Sequence, residues 1–532
     1  MAQQRKPSIA ALKRQRTRRL ARLIARAYIL QQRGKQTELY TMICDEFVDM
    51  GGVYVKFLQG VLLNNVVMKK WQNPNKMRIF ENLDTVEMDI VQVLQRELKP
   101  DALRDIALVQ PKPFAAGSFG QVYYGQHING KAIIIKVLRP QVADLLAYDL
   151  RLLTMFTRSF AKREYRNIGM NLNSAFREFR HSTLREADYK SEALFAAEMF
   201  EAYMDHPRIV IPKTYLELCT ANVIVQDYLP GLSVVEVLKA KQDGVDPVAF
   251  VKEQTGSDLD TQLISFGSAL MAGSITMPRI QGDPHPGNIR LLPDNKVGTI
   301  DFGISASRPR NQPAFFQIIN SWHKMYAESE DDFDVVSLFT SFMRFFVNDL
   351  YNALRKLGGR VNINSSAGSS GSYNLPDNLV NEVGKVVRNI MQSAIGTQDV
   401  KTIIREGRTL DLFNNVVNRG NRFGLVMRIE STEVLRAAQT YMALVNSLGR
   451  RDKVFAVMFE TALNDIEKAI PDIRYQSDDA MTMNQAYETI HGWLERVASR
   501  DPDLFQELVA KVKIGKDISV PTEPTIVEEK HA

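Results

Sequence analysis

The spacing of apolar residues divides this chain of 532 residues into a helical beginning, a strand-rich middle and a long helical remainder. Within residues 8–36 apolar residues recur at helical spacing, and the opposite face of the predicted helix is basic. The apolar face contains Leu20, Leu23, Ile24 and Ala27, and the basic face contains Arg18, Arg22 and Arg26. Residues 38–100 also have a helical pattern, with a break at Asn73-Pro74-Asn75 and an amphipathic helix at about 84–98.

Strand-like patterns follow. Three strands are predicted at residues 112–114, 121–126 and 132–137, with turns at 115–120 and at Asn129-Gly130. Asn-Gly between two β-type runs is a strong hairpin signal. A helical region over 141–204 precedes two strand-like segments, 209–218 and 222–227, which end at Pro230-Gly231. Residues 233–278 and most of the chain beyond 310 are predicted to be helical, with a flexible Gly/Ser loop at 364–374.

The positive charge of the chain is concentrated at its beginning. The net charge is +6, and residues 1–36 contain eleven Lys/Arg and no Asp/Glu, so the remainder carries 6 − 11 = −5. The basicity therefore gives no reason to expect that the main body binds nucleic acid. The two cysteines, Cys44 and Cys219, have no nearby Cys or His at ligand spacing, which argues against a disulfide framework or structural zinc and favours a reducing compartment.

Three interpretations of residues 1–36 remain open from the sequence. The basic amphipathic helix can lie on an anionic membrane surface, pack on the body of the protein, or be an Arg-rich organellar transit peptide. No run is apolar enough to span a bilayer, and the uncharged part of residues 261–278 is interpreted as a buried helix. The chain is therefore expected to be cytoplasmic and peripherally membrane-associated, with a mitochondrial or plastid location as the alternative.

One segment carries most of the candidate chemistry. Asp283-Pro-His-Pro-Gly-Asn288 is followed by Asp301-Phe302-Gly303, and the Asp-to-Asn step is 288 − 283 = 5 residues. A kinase catalytic loop uses D-x-x-x-x-N, followed by D-F-G, to place an acceptor-orienting carboxylate and two magnesium ligands. The pattern predicts Asp283 as the catalytic carboxylate and Asn288 and Asp301 as Mg²⁺ ligands in an ATP site. His285, between two prolines, is interpreted as structural.

A candidate nucleotide loop and phosphate-binding lysine precede this segment. The loop residues expected to contact ATP are Ala115, Ala116, Gly117, Ser118, Phe119, Gly120 and Val122. Small residues let backbone N–H groups approach phosphates closely. Lys136 ends Ile133-Ile134-Ile135-Lys136, which resembles the V-A-I-K strand of kinases. A helical carboxylate would hold this lysine, and the candidates are Glu186, Asp188 and Glu192.

Together these motifs resemble the UbiB/AarF/ADCK family of atypical kinases over roughly residues 40–305. The D-P-H-P-G-N segment matches without a break, Ala115-Ala116-Gly117-Ser118 resembles the family's alanine-rich loop, and Glu186-Ala187-Asp188 resembles its E-x-D element. The resemblance makes Glu192 the partner of Lys136. It also places the family's K-x-G-Q motif at Lys56-Phe57-Leu58-Gln59, with Leu58 instead of Gly, and implies that Lys56 and Gln59 belong to an extension that folds over the active site. Gln281-Gly282 replaces the family's usual His-Ala, and Gly117 makes the loop more kinase-like than the family norm.

The resemblance implies an α+β, bilobal protein-kinase-like fold with an N-terminal helical extension and a mainly helical C-terminal lobe. The predicted divisions are a basic helix (1–36), the extension (37–105), the small lobe (106–231), the large lobe (232–520) and a disordered tail (521–532). The implied function is an atypical kinase or ATPase that uses Mg²⁺ and ATP in ubiquinone or other isoprenoid-lipid metabolism at a membrane. A Ser/Thr protein kinase and an ATP-gated lipid-binding scaffold without phosphotransfer remain alternatives.

Overall fold

The structure is a computed structural model that describes residues 8–58, 88–116, 119–161, 176, 179–180, 183–309, 312–327 and 429–474. The chain divides into two compact units. The first comprises Met1–Gly273, Arg279–Ser307 and Arg436–Val454, and the second comprises Ser274–Pro278, Arg308–Leu435 and Phe455–Ala532. All of the described strands belong to the first unit.

Three helices open the first unit: α1 (Ile9–Gln32), α2 (Gln36–Met50) and α3 (Val53–Phe57). The Ser8 side chain accepts a hydrogen bond from the Ala11 N–H, which satisfies one free donor at the start of α1. The apolar face of α1 lies in the core, where Leu20 and Leu23 are buried beside α2 and a later helix. Of the three interpretations left open for this helix, packing on the body of the protein is the one that this contact supports.

The main sheet has five strands, and β3 (Gly120–His127) and β4 (Ala132–Leu138) form its centre. Gly130, at φ 84°, makes the predicted turn between them. The outer strands are β1 (Ile106–Val109), β2 (Ala115–Ala116) and β6 (Val223–Asp227). The predicted first strand is thus wrong: the edge strand is β1, and residues 112–114 form an irregular connection to the short strand β2.

Helices pack on both faces of the main sheet. Two short helices, α4 (Ile90–Glu97) and α5 (Pro100–Leu103), precede β1, and the predicted helical region over 141–204 contains α6 (Pro140–Ala161) and α7 (Tyr189–Tyr203). Phe47 of α2 packs edge-on against Phe156 of α6, with 5.1 Å between ring centroids. The N-terminal helices, α6, Phe119 and Tyr189 share one hydrophobic core, so the extension and the sheet region are packed together.

A second, four-stranded sheet and a two-stranded sheet carry the catalytic segment. The first contains β5 (Ile209–Val210), β10 (Val297–Thr299), β9 (Ile289–Leu291) and β7 (Leu232–Ser233), and the second pairs β8 (Arg279–Gln281) with β11 (Ser305–Ser307). Strands β9 and β10 pair antiparallel and form a hairpin that connects Asn288 to Asp301. In the predicted 209–218 strand, only Ile209–Val210 is regular strand, and Leu216–Leu218 is a 3₁₀ turn.

Three helices follow β7: α8 (Val234–Gln242), α9 (Pro247–Thr255) and α10 (Leu259–Thr276). Ser233 and Glu236 form a capping box at the start of α8, and Gly256 ends α9 in the left-handed conformation. Helix α10 contains the uncharged segment, and its buried residues include Leu263, Phe266 and Ile275, as predicted.

The later helices are α11 (Gln312–Ala327), α12 (Ile429–Leu448) and α13 (Arg451–Ala469). Within the second unit, Trp322 and Tyr326 pack against Phe459, at centroid distances of 5.6 and 6.0 Å. The predicted Gly/Ser loop and C-terminal tail lie outside the described residues. In the described part of the chain no helix is long and apolar enough to cross a membrane.

Candidate functional site

A cavity of about 500 Å³ lies in the first unit, between the main sheet and the catalytic segment. A volume of this size is typical of small-molecule sites. Its polar lining includes Lys136, Glu186, Glu192, Asp283, Asn288 and Asp301. Its apolar lining includes Phe114, Val122, Ile134, Leu229 and Ile300. The cavity therefore has one charged region and one apolar region, as a nucleotide requires.

Lys136 lies at the centre of the charged region. Its Nζ donates a hydrogen bond to Glu192 Oε1 at 2.7 Å and lies 3.9 Å from Asp301 Oδ2. Strand β4 positions the lysine, and helix α7 positions the glutamate one turn after its N-cap, Asp188. The predicted ion pair of Lys136 and Glu192 is thus present. Asp188 does not share this role, because its exposed carboxylate accepts hydrogen bonds from the Ser191 N–H and hydroxyl.

The protonation of this pair follows from its surroundings. Burial disfavours the charged form of Lys136, but Asp301 and Glu192 outweigh it, so the pKa of Lys136 is raised. Burial raises the pKa of Glu192, and the positive charge of Lys136 partly opposes this. The pair therefore keeps a positive charge on Lys136, which is the form that a phosphate would contact.

The catalytic segment folds back on itself through hydrogen bonds between residues that are close in sequence. Asn288 Nδ2 donates to the Asp283 carbonyl at 3.1 Å, and Gly287 N–H donates to His285 Nδ1 at 3.1 Å. The second contact agrees with the structural interpretation of His285. Burial raises the pKa of Asp283; the electrostatic effect of His285 lowers it, and the negative charge of Asp301 raises it. A carboxylate with a raised pKa is a better proton acceptor than an exposed one.

Asn288 and Asp301 fit the requirements of a magnesium ion. Hard divalent cations prefer oxygen ligands from carboxylates and amides. Because Asn288 Nδ2 is used within the loop, its Oδ1 is the atom left to face the cavity. Asp301 Oδ1 accepts from the Gly303 N–H at 2.9 Å, which fixes the carboxylate beside Lys136. In the described residues no cluster of three or more His, Cys, Asp or Glu forms a separate metal site.

The described part of the nucleotide loop borders the same cavity. Ala115, Ala116, Phe119, Gly120 and Val122 all line it, whereas Gly117 and Ser118 lie outside the described residues. Gly120 has a packing reason for lacking a side chain, since an added Cβ would overlap the Tyr189 hydroxyl and lie 2.9 Å from the Val137 carbonyl.

The N-terminal extension reaches this cavity through Lys56. Lys56 forms an ion pair with Glu186, and its Nζ lies 4.9 Å from the centre of the Phe119 ring. Burial lowers the pKa of Lys56 to about 8, although the negative charges of Asp283 and Asp301 oppose this change. Lys56 therefore points toward Glu186 at the edge of this cavity, which agrees with the extension that the family resemblance implies. Gln59 lies outside the described residues.

Two polar residues that the sequence analysis did not select connect these elements. Gln281 is buried; its Nε2 donates to the carbonyls of Asp283 at 2.6 Å and Asp301 at 3.3 Å, and its Oε1 accepts from the Asp283 N–H at 3.0 Å. Arg185 donates to the Ser305 carbonyl at 2.7 Å, which fixes the segment that carries Glu186. Gln281 could have been suspected from its position before Asp283, but the Arg185 contact had no signal in the sequence.

Comparison with known proteins agrees with this arrangement. Residues 81–333 match the family model described as the ABC1 atypical kinase-like domain. This part of the chain is therefore an ABC1 atypical kinase-like domain of the UbiB/AarF/ADCK family, and the α+β, bilobal kinase-like fold is confirmed.

Similar proteins occur in plants and bacteria. The chain is 29% identical over 247 residues to ACTIVITY OF BC1 COMPLEX KINASE 1, chloroplastic, of Arabidopsis thaliana, an alignment that covers 45% of this chain and 34% of that protein. It is 27% identical over 271 residues to a chloroplastic aarF domain-containing protein kinase of the same plant, an alignment that covers 48% of this chain and 46% of that protein. A solved structure of an Rv3197–erythromycin complex from Mycobacterium tuberculosis is 18% identical, with a TM-score of 0.44, and the match covers 85% of this chain and 98% of that chain. The alignments thus span between a third and a half of the two curated relatives.

Proposed function

We propose that this chain is an atypical kinase or ATPase of the UbiB type that uses Mg²⁺ and ATP. The observation that supports this most is the convergence of Lys136, Glu192, Asp283, Asn288 and Asp301 on one cavity. Lys136 would contact the phosphates and be held by Glu192. Asn288 and Asp301 would hold Mg²⁺, whose chemical contribution when bound is to neutralise charge on the phosphates. Asp283 would orient the acceptor hydroxyl or water and accept its proton.

The position of Lys56 favours a small acceptor, or water, over a protein substrate. Lys56 is near enough to Asp283 and Asp301 for their charges to affect its pKa, and it is paired with Glu186 at the same cavity. A folded protein segment would need the space beside Asp283 that the extension approaches. The Ser/Thr protein kinase alternative would require the extension to move away.

A role in isoprenoid or quinone-like lipid metabolism is the finer part of this proposal. It rests on the family, and on relatives whose names refer to activity of the bc1 complex. The corresponding partners are ATP, an isoprenoid or quinone-like lipid and an anionic membrane surface approached by residues 1–36. The exposed Arg18, Arg22 and Arg26 provide the positive charge for the last of these.

The compartment is proposed on the same basis. A peripheral position at a cytoplasmic membrane surface agrees with the basic exposed face of α1 and with the unpaired cysteines Cys44 and Cys219. The word chloroplastic in the names of the plant relatives supports the alternative of a plastid location. The buried face of α1 favours a structural part of the folded protein over a removable transit peptide.

ATP turnover by the full chain tests the proposal. Release of phosphate from Mg–ATP is measured alone, with anionic liposomes, with isoprenoid-like phenols, and with both, and the Asp283→Asn variant is the control for contaminating ATPase. Turnover that requires Asp283 and rises with lipid or phenol supports the proposal. ATP binding without turnover under every condition supports the ATP-gated scaffold, and phosphorylation of added protein with no lipid effect supports the Ser/Thr kinase.

A further inference from the structure

Helix α7 contacts the catalytic elements at three successive points. The three residues that make these contacts are Glu192, Phe195 and Glu198, and each lies three residues after the one before it. Residues at this spacing are neighbours on the surface of a helix. Glu192 makes the first contact, with Lys136 of β4. Six residues of helix correspond to about 9 Å, so the third contact lies well beyond the buried ion pair.

Phe195 makes the middle contact and has a different neighbour on each side. It is 2% exposed and packs edge-on against Phe302 of the D-F-G segment, with 5.9 Å between ring centroids. Arg279 lies over the same ring, with its guanidinium carbon Cζ 4.8 Å from the ring centre. A planar guanidinium is attracted to the face of an aromatic ring. Arg279 therefore covers the side chain that packs against the D-F-G phenylalanine.

Arg279 also makes the third contact, because its guanidinium forms an ion pair with Glu198. Arg279 begins strand β8 and pairs with Ser307 of β11. Strand β8 leads into Asp283, and β11 follows the D-F-G segment that begins with Asp301. One arginine thus connects α7 to the two-stranded sheet that carries both loops of the candidate catalytic segment.

The three contacts differ in exposure and in directionality. The Glu192 side chain is 4% exposed, whereas the Arg279 and Glu198 side chains are 33% and 58% exposed. An exposed ion pair contributes little by itself, but here the same guanidinium is also fixed on Phe195. Without Arg279, the contact between the two phenylalanines remains, and an apolar contact of this kind is non-directional. Helix α7 could then turn slightly and move Glu192 relative to its partner.

We propose that Arg279 is a positioning residue of the phosphoryl-transfer site. Through its two contacts on α7 it holds the helix in the orientation in which Glu192 pairs with Lys136. This inference rests on the proposed function, since it concerns the site that would transfer the phosphoryl group. Arg279 is not among the described residues that line the cavity, so it acts through α7 and not on the nucleotide itself.

Two measurements on the full chain test the proposal. Hydrogen exchange of backbone amides, followed by mass spectrometry, reports local opening of α7, and phosphate release from Mg–ATP gives kcat and KM. The variants are Arg279→Gln, Glu198→Gln and the double variant. Arg450→Gln is the matched control, because it removes another partly exposed arginine, whose ion-pair partner Asp260 belongs to α10.

In Arg279→Gln the α7 amides are expected to exchange at least about fivefold faster than in the wild type. The value of kcat is expected to fall about tenfold, while KM for ATP changes by less than about twofold, because the nucleotide contacts remain but the reacting groups are misplaced. Glu198→Gln should have a smaller effect, since the arginine stays on Phe195. The double variant should be no slower than Arg279→Gln, because Glu198 acts through the arginine. Arg450→Gln should match the wild type in the exchange of α7 and in kcat.

Unchanged exchange of α7 in Arg279→Gln would overturn the inference, and so would faster exchange with an unchanged kcat. If Arg279→Gln exchanges faster throughout the chain and does not fold, Glu198→Gln, a change at an exposed side chain, gives the same test. A double variant in which the losses of the two single variants multiply would show that the two residues act separately, contrary to the proposal. A wild type that releases no phosphate would contradict the proposed function, whereas the exchange of α7 would still decide whether Arg279 holds the helix.

Discussion

Lys136 and Glu192 form an ion pair in which the lysine Nζ lies 2.7 Å from the glutamate Oε1 and the carboxylate side chain is 4% exposed. The pair joins the central sheet to helix α7 and stands beside Asp301. It therefore has two roles that experiment can separate. It contributes to stability, since neither charge can be buried alone without a large cost, and it presents a positive charge to the cavity.

Replacement of Lys136 is expected to affect both roles. Lys136→Met leaves Glu192 buried and unpaired, so the free energy of unfolding should fall by about 3 kcal/mol and ATP turnover should be lost. The double variant Lys136→Met/Glu192→Gln removes both charges, and should recover most of the stability without recovering turnover. Denaturant unfolding and phosphate release measure the two effects. Turnover by the stable double variant at the wild-type rate would contradict the assignment of Lys136 to phosphate contact.

The two aspartates of the catalytic segment are expected to differ in their effect on nucleotide binding. Asp301→Asn weakens a magnesium ligand, so Mg–ATP affinity should fall by about tenfold or more and turnover should be lost. Asp283→Asn changes the group that acts on the acceptor, so binding should remain while turnover falls by at least about a hundredfold. Calorimetry with Mg–ATP, together with phosphate release, compares these isosteric substitutions. Equal loss of binding in both variants would show that Asp283 also holds the nucleotide or its metal.

Much of this site could be predicted because its residues are close in sequence and their spacing is fixed by the reaction. Asp283, Asn288 and Asp301 are connected by one loop and one hairpin, and local turn chemistry determines their relative positions. Asn129-Gly130 similarly specified the turn between β3 and β4, because its left-handed glycine conformation is a local property.

The missed features depend on contacts between distant parts of the chain. The apolar face of α1 has the same pattern whether it enters a bilayer or packs on the protein, and only the neighbouring helices decide between these outcomes. The Gln281 contacts require β8 and β11 to bring the catalytic and D-F-G loops together.

The stability of the protein should depend on pH through Lys56. Its pKa is about 8 in the folded chain, below the ordinary lysine value of 10.5, so between these two pH values the unfolded state binds more protons. Stability therefore rises with pH in this window, and the cost of burying the charge is fully present below pH 8. The lowering of the pKa of Lys56 from 10.5 to about 8 corresponds to about 3 kcal/mol in the free energy of unfolding.

Denaturant unfolding of the wild type and Lys56→Met across this range measures the effect. The wild type should gain about 3 kcal/mol of stability as pH rises from 7 to about 11, whereas the variant has no lysine at this position to lose a proton. The free energy of unfolding of the variant minus that of the wild type should therefore fall by about 3 kcal/mol over this range. Lys190→Met, at an exposed position, is the control for removal of one lysine. A stability difference between the wild type and Lys56→Met that stays constant with pH would contradict the buried position of Lys56.

Membrane association through α1 should be electrostatic and fully reversible by salt. Arg18, Arg22 and Arg26 are exposed, whereas Leu20, Leu23 and Ala27 are buried in the protein and cannot add apolar contact with lipid. Basic residues near an anionic surface contribute about 1 kcal/mol each, and salt screens them over a Debye length of about 8–10 Å. The full chain should therefore sediment with anionic vesicles at low salt, remain in solution with neutral vesicles, and dissociate at about 0.5 M salt.

The triple variant Arg18→Gln/Arg22→Gln/Arg26→Gln should lose this binding while keeping the fold, because its substitutions leave the buried face of α1 intact. Replacing the exposed lysines Lys190, Lys213 and Lys252 with Gln removes the same charge from other elements and is the matched control. If both triple variants sediment equally, the position of the removed charges has no effect. The total charge of the protein, and not the basic face of α1, would then determine membrane association. Sedimentation of the wild type that persists at high salt would instead require apolar insertion, and hence release of α1 from the core.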